Sequence, residues 1–320
     1  VFASHKLGFS PVKTTIFFMP HSQRPALSGL LLATAGAIAF SGKAIIVKLS
    51  YLHGVDAVTV IMYRMLFALP CFMAMGLWAE RQAIARENPL TCRDVIDIVS
   101  LGFVGYYLSS YLDFLGLQYI TASLERLILY LNPTLVVLLG WVVYKKPIHP
   151  IRMLAMAISY SGVMLVFSHE LSFAGANVAL GGSLVFASAV SYAVYLLYSG
   201  QLVQRIGSLR LVGWATSVAC VCCIAQFVVL RPLSAAVVPM EVLWLGVLNA
   251  VACTVAPVLM VMMAIERIGA ALTAQMGMIG PMSTIALGVL LLDEPLNLWI
   301  GVGTLLVVSG VFIVSKYGAK

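Results

Sequence analysis

Five ionisable side chains stand where an apolar chain is least able to solvate them. Lys43, Arg64, Asp113, Glu125 and Arg126 all lie inside long hydrophobic runs. A charge at the centre of a membrane-spanning helix costs roughly 2.5–3.5 kcal/mol on insertion scales, so each needs a partner, water or a ligand. Lys43 and Arg64 are the deepest, and they are expected to face the interior of a helix bundle. There they would pair with Glu125 or Asp113, or hold the anionic group of a substrate. Glu125 falls in the first turn of its segment, where a carboxylate is also favoured by the helix dipole. Lys48 and Asp113 lie within about a turn of a helix end, and the expectation is that they snorkel to the headgroups. Arg126 points about 100° away from Glu125 and is expected to reach lipid phosphate.

Uncharged polar residues form a second set. Ser188, Tyr192 and Tyr195 recur at three- and four-residue spacing, and Tyr130 and Asn132 directly precede Pro133. Gln275 lies on the segment that matches theirs later in the chain. A tyrosine stripe serves helix packing or an interfacial belt as well as it serves a binding wall. The candidate binding residues are therefore Lys43, Arg64, Glu125, Tyr130, Asn132, Tyr192 and Gln275.

Other chemistry is poorly represented. There is no G-x-S-x-G, H-E-x-x-H or P-loop, and the "GVG" at Gly301–Gly303 sits inside an apolar run where it cannot cradle phosphate. Five of the six cysteines lie in apolar segments with no His, Asp or Glu beside Cys220–Cys223, so they are read as packing residues. No metal or cofactor is expected.

The elements that position these residues follow from composition. With 62% hydrophobic and 10% charged residues and a mean hydropathy of +1.02, the chain cannot coat a soluble domain. Its solvent must be mostly lipid. About ten segments have the roughly 20 apolar residues that a spanning helix needs. They are Ser28–Ser50, Ala57–Ala79, Val95–Leu117, Ala122–Tyr144, Ile151–Ser168, Val178–Gly200, Leu211–Leu230, Glu241–Ala264, Gly269–Leu292 and Asn297–Lys316. None shows the alternation of a membrane β-barrel. The fold class is an all-α membrane protein.

The net charge of +7 is topological. With the N-terminus inside, the inner connections carry nearly all the Lys and Arg, from Arg81, Arg86 and Arg93 to Lys145, Lys146, Arg205, Arg210 and Arg267. The outer side holds Arg231, with Lys48 near the outer end of the first helix. This positive-inside bias places both termini in the cytoplasm and gives no reason to invoke nucleic acid. Residues 1–26 lack a secretory signal core and read as a cytoplasmic, disordered tail.

The chain also repeats itself. "LYLNPTLVVLLGWVVYKKP" (Leu129–Pro147) and "GMIGPMSTIALGVLLLDEP" (Gly277–Pro295) share Pro133/Pro281, Gly140/Gly288 and Pro147/Pro295 without a gap. The match continues through Ser161-Gly162-Val163 and Ser309-Gly310-Val311. Two five-helix halves follow, residues 27–168 and 169–320. Five is odd, so the second half is inverted. The Lys145-Lys146 turn then faces the cytoplasm and the Asp293-Glu294 turn faces outward, as the charge rule requires. Pro133 and Pro281 lie about midway along the fourth and ninth segments. Each removes an N–H, depriving the carbonyls at Leu129 and Gly277 of their helical partners. Matched interruptions of this kind point to the central site of a transporter, although a kink that merely shapes the helix gives the same pattern.

These residues resemble the drug/metabolite transporter superfamily, specifically its EamA-type ten-helix permeases. The resemblance covers nearly the whole chain after Pro25 and rests on "GLQYITASLERLILYLNPTLVVLLG" and "IERIGAALTAQMGMIGPMSTIALGVLLLDEP". It implies export or exchange of small metabolites. In that family the residue before the second proline is usually Glu in both halves; here Glu294 keeps it and Lys146 departs from it.

The reading is a multi-pass inner-membrane secondary transporter for a small metabolite such as an amino acid, working by alternating access. Its partners would be a small-molecule substrate and the bilayer, with homodimer formation left open. An intramembrane enzyme, or a non-transporting sensor or assembly partner, are the alternatives. In a variant stripped of native cysteines, single cysteines at Asn177 and Asn297 should react with an impermeant thiol reagent from outside, and one at Gln82 should not. Labelling of Gln82 in intact cells would reverse the orientation.

Overall fold

The computed structural model describes residues 23–81, 89–145, 150–174, 176–277, 279–295 and 297–317. Lys146 and the tail before Gln23 lie outside them. The first half comprises α1 (Gln23–Leu52), α2 (Ala57–Glu80), α3 (Cys92–Leu101), α4 (Ser109–Gly116), α5 (Ala122–Leu129), α6 (Asn132–Tyr144) and α7 (Pro150–Ala174). The second comprises α8 (Ala176–Ile206), α9 (Ser208–Leu230), α10 (Met240–Ala250), α11 (Ala256–Met276), α12 (Ile279–Leu292) and α13 (Leu298–Tyr317). No strand occurs among the described residues. Among the described residues, eight helices are long and apolar enough to cross a membrane, and the shorter apolar helices Ile279–Leu292 and Leu298–Ile313 follow them. The protein is an all-α, multi-pass membrane protein.

Local sequence sets the ends. Asp56 caps α2 by accepting from the Val58 amide at 3.1 Å and the Thr59 hydroxyl at 2.7 Å. Thr91 and Asp94 form a capping box on α3, which satisfies amides that no helical carbonyl reaches. Thr121 caps α5 through the Leu124 amide at 3.0 Å. Gly54 and Gly207 turn the chain between α1 and α2 and between α8 and α9 with φ of +74° and +87°, a region that glycine enters without steric cost.

Two expected boundaries differ. The fourth segment is not one helix: α5 ends at Leu129 and α6 restarts at Asn132, so Pro133 occupies the first turn of a new helix. A proline is tolerated there because its missing N–H would have had no helical partner. The expected break near Ile265–Ile268 is absent, and α11 runs on to Met276. Glu266 and Arg267 favour helix and no proline intervenes. The interruption falls instead around Gly277, just before Pro281 in α12.

Irregularities come in matched pairs. The helix containing α3 and α4 is π-helical at Gly102–Leu108, and the one containing α10 and α11 is π-helical at Val251–Val255. Lys145 and Asp293, which end α6 and α12, both have φ of +53°. Packing crosses between the halves. Gly36 of α1 lies against Met260 and Val261, Gly76 of α2 against Trp214 of α9, and Gly116 of α4 against Val185 of α8.

The α7–α13 contact is the tightest. A Cβ on Gly303 would stand 2.3 Å from Val166 Cγ2 and 2.8 Å from the Gly162 carbonyl oxygen, and one on Gly162 2.7 Å from the Gly303 oxygen. Small residues let two backbones approach in this way. Gly181 and Gly182 also pack closely, against Ile120 and Phe167. At Gly301, by contrast, the Cβ position is open.

Ion pairs stitch the helix ends. Arg231 holds Asp56 at 2.9 Å at one end, while Arg205 holds Asp94 at 2.6 Å and Arg210 holds Glu80 at the other. Burial would raise the Asp56 carboxyl, but hydrogen bonds from Thr59 and Arg231 outweigh it and hold the group below the usual carboxylate range. A depressed folded value contributes stability at neutral pH that is lost on acidification through that value.

The glycine contact gives a direct test. Gly303→Val should destabilise the detergent-solubilised protein by about 1–3 kcal/mol through overpacking, and Gly301→Val should change it little. Equal melting temperatures for the two variants would refute the assigned α7–α13 register.

Candidate functional site

The charged residues singled out in the sequence converge on one region, joined by a short buried ion pair. Lys43 of α1 places its Nζ 2.5 Å from Asp113 Oδ2 of α4 and 3.4 Å from Glu125 Oε1 of α5. All three are buried, with Glu125 at 0% exposure. Asp113 does not snorkel as expected; it turns inward because Lys43 gives it a cation that lipid cannot. Arg64 of α2 does not reach Glu125. Its Nε donates to Thr254 Oγ1 at 3.1 Å, and its guanidinium lies 5.1 Å from the Phe114 ring centre. Lys43 sits 5.9 Å from the same ring, so Phe114 contacts both cations.

Beside this cluster is a cavity of about 510 Å³. Lys43, Arg64, Asp113, Tyr130, Asn132 and Pro133 line it from the first half, and Tyr192, Thr216, Thr254 and Gly277 from the second. Its walls include Phe40, Met65, Phe72 and Val258, which give the site an apolar side. Glu125 lies behind Lys43 and is not part of the wall. Gln275 belongs to α11, but its side chain is outside the described residues. Pro281 starts α12 without lining the cavity.

Arg126 departs from its expected place in lipid. It lines the cavity, donates from Nη2 to Ser41 Oγ at 3.4 Å and stacks 5.6 Å from the Phe40 ring centre. A Cβ on Gly280 would come within 2.9 Å of Nη2, so the glycine before Pro281 opens the passage that admits this guanidinium. Ser41 in turn donates to the Gly280 carbonyl at 2.9 Å. The bundle interior solvates Arg126 with a hydroxyl and a ring face, and no headgroup is required.

The π-helical stretches supply contacts that the sequence did not reveal. Ser191 donates to the Val104 carbonyl at 2.6 Å, and Ser188 to the Ser109 carbonyl at 2.8 Å. Thr254 donates to the Asn249 carbonyl at 2.9 Å while accepting from Arg64. A π turn displaces a carbonyl from the regular ladder, and such turns cluster at functional sites. Tyr106, Ser109 and Thr254 were missed because an apolar run with one hydroxyl reads as packing, and nothing local marks a π turn. Of the tyrosine stripe, Tyr195 is buried with its hydroxyl 3.3 Å from that of Tyr106, whereas Tyr192 faces the cavity.

At one end of the site the halves are latched. The Glu294 carboxylate accepts from the Ala122 amide at 2.7 Å and from the Ser123 amide and hydroxyl at 3.3 and 2.7 Å. It caps α5, where a negative charge is favoured. A Cβ on Gly288 would fall 2.8 Å from its Oε2, which explains the glycine there. The Asp293-Glu294 doublet thus has a structural duty through Glu294. Among the described residues, no group of three or more His, Cys, Asp or Glu could hold a metal ion.

A family model described as the EamA-like transporter family matches residues 27–168 and again 179–316. The chain is similar to an uncharacterized transporter, YcbK, of Bacillus subtilis, at 28% identity over 304 residues covering 91% of this chain and 92% of that protein. An uncharacterized transporter of Archaeoglobus fulgidus is 25% identical over 187 residues, or 58% of this chain and 62% of that protein. A solved crystal structure shares the fold with a TM-score of 0.59 at 16% identity, covering 90% of this chain and 96% of that one.

The ion cluster predicts an ordering of variants. Lys43→Met leaves two buried carboxyls without their cation and should cost roughly 3–5 kcal/mol, seen as lower yield of monodisperse protein and a lower melting temperature. Adding Asp113→Asn should recover much of the loss. A double variant no better than the single one would mean that Asp113 is not the partner of Lys43.

Proposed function

The chain belongs to the EamA-like transporter family, and from that premise we propose that it is an inner-membrane secondary transporter. It exports or exchanges a small metabolite with an anionic end, such as an amino acid, by alternating access. One observation carries the substrate class. The Arg64 guanidinium lines the cavity with its Nη1 unpartnered, although the residue is 6% exposed. Such a donor suits a carboxylate, which a guanidinium binds through charge-assisted hydrogen bonds. Arg126 adds a second guanidinium, and Phe40, Phe72 and Val258 offer an apolar surface for the rest of the molecule.

The mechanism follows from the paired irregularities. Helices interrupted at Tyr130-Leu131 and around Gly277 bring loosened backbone to the cavity from both halves. Broken helices at the meeting of two inverted repeats are the plan on which alternating access operates. Reciprocal packing of α1 on α11 and of α4 on α8 supports an approximate two-fold relation between the halves. On this reading the Glu294 latch closes one side of the cavity, and its release accompanies opening to that side. Both termini lie in the cytoplasm, which puts the latch on the outer face.

Purified protein in liposomes, assayed by counterflow against a panel of labelled amino acids, monocarboxylates and quaternary amines, tests this directly. Members with a carboxylate should exchange and the amines should not. Arg64→Ala should insert normally yet lose roughly tenfold or more in transport, the worth of a charge-assisted hydrogen bond. Counterflow of amines alone, or undiminished counterflow in Arg64→Ala, would overturn the assignment.

A further inference from the structure

The cavity carries more ionisable groups than substrate binding requires. On its wall Lys43, Arg64 and Arg126 stand against Asp113, Glu125 lies outside the wall next to Lys43, and the five are unevenly distributed. Lys43 is the one cation within ion-pair distance of the two carboxyls among the described residues. It is taken at 2.5 Å by Asp113. Glu125 is fully buried, 3.4 Å from the same ammonium and beside the Asp113 carboxyl, and among the described residues neither of its oxygens accepts a hydrogen bond from an amide, hydroxyl or cationic donor. Asp113 Oδ1 is also without one. One ammonium neutralises one carboxylate. A second buried carboxylate needs another cation or a proton, because an uncompensated charge away from water is costly.

Among the described residues no second cation is in contact with it. The groups facing Glu125 are Lys43 and Lys48 of α1, Asp113 of α4 and Arg126 of its own helix. Glu294 caps the start of that helix, and Glu170 of α7 bonds to Thr121 there. Lys48 forms no ion pair with any described carboxylate, and its attraction is divided among Glu294, Glu170 and Glu125. From α8, α12 and α13, the hydrophobic residues packed with α5 include Val185, Ile285 and Val307.

Resting on the transport reading above, we propose that Glu125, with Asp113 and Lys43, forms a proton site of this cavity whose loading favours, and is favoured by, an anionic group at Arg64 and Arg126. The proton and the anion then travel in the same direction, so an exported carboxylate takes its proton with it. The balance is simple. One proton joins a carboxylate oxygen as the anion arrives and leaves to water as the anion departs, with no covalent bond to the substrate. The sign follows from Coulomb's law. An anion placed near the triad raises the cost of a second negative charge on it, and neutralising Glu125 lowers the cost of the anion. Linkage makes the two effects equal. Charges about 10 Å apart at an effective dielectric of about 20 change each other's equilibria roughly ten- to twenty-fold.

The test uses the purified full chain and three probes, pyruvate as anion, L-alanine as zwitterion and choline as cation. Infrared difference spectra should show a protonated-carboxyl carbonyl band that grows on adding pyruvate and is lost in Glu125→Gln. Asp113→Asn, a second variant should the first fail to fold, should shift the band. With a pH indicator in weak buffer, wild-type protein should take up protons on binding pyruvate and not on adding choline. Its apparent affinity for pyruvate should fall roughly tenfold from mildly acidic to alkaline pH, with a flat profile in Glu125→Gln. A band unchanged in both variants, or one that ignores all three probes, overturns the proposal. These readouts need no transport, so they fail independently of the counterflow assay.

Discussion

The interior of this bundle is organised around one electrostatic constraint, that charges removed from water must be matched. Lys43 binds Asp113 and approaches Glu125, thereby tying α1, α4 and α5 together at a single point. The ring of Phe114 lies near both that ammonium and the Arg64 guanidinium, offering each cation an aromatic contact on one cavity. Helices that pack in lipid gain little from the hydrophobic effect between one another. Specific polar contacts and close backbone approach must therefore set their arrangement. The α7–α13 glycine contact supplies the second of these and the ion cluster the first.

The same economy governs the irregular backbone. Two π-helical stretches, two interrupted helices and two left-handed residues ending α6 and α12 occupy corresponding places in the chain. Displaced carbonyls lose their helical donors and need others. Ser188, Ser191 and Thr254 meet several of them instead, and the same residues border the cavity or support its wall. Polar side chains that look incidental in an apolar run thus hold the non-helical geometry beside the cavity.

Much of this was legible in the sequence. The apolar segments announced the membrane, and the paired prolines located the interruptions to within a few residues. Lys43, Arg64, Tyr130, Asn132 and Tyr192 were singled out, and they border one cavity. What escaped depended on neighbours distant in the chain. Arg126 looked like a lipid-facing residue because helical angle alone says nothing of Gly280, which opens its path from the other half. Asp113 looked terminal because its distance from a helix end could be counted and its cation could not. Thr254 and Ser109 needed π turns that carry no local signature. The continuity of α11 past Ile265 was hidden for another reason, since charged residues between apolar runs signal a loop and a helix equally well.

The crossing of α1 with the second half has a consequence in time as well as space. Ser41 of α1 donates to the carbonyl of Gly280, 239 residues further along the chain. At about 5–20 residues per second, a ribosome needs some tens of seconds to supply that acceptor. Throughout that interval α1 is already made while the surfaces of α11 and α12 that will cover it do not exist. Lys43 gains Asp113 sooner, 70 residues on, so the ion pair can hold the nascent first half together before its permanent neighbours emerge. The order of synthesis thus makes the partners of the ion pair available well before those of the Ser41–Gly280 hydrogen bond.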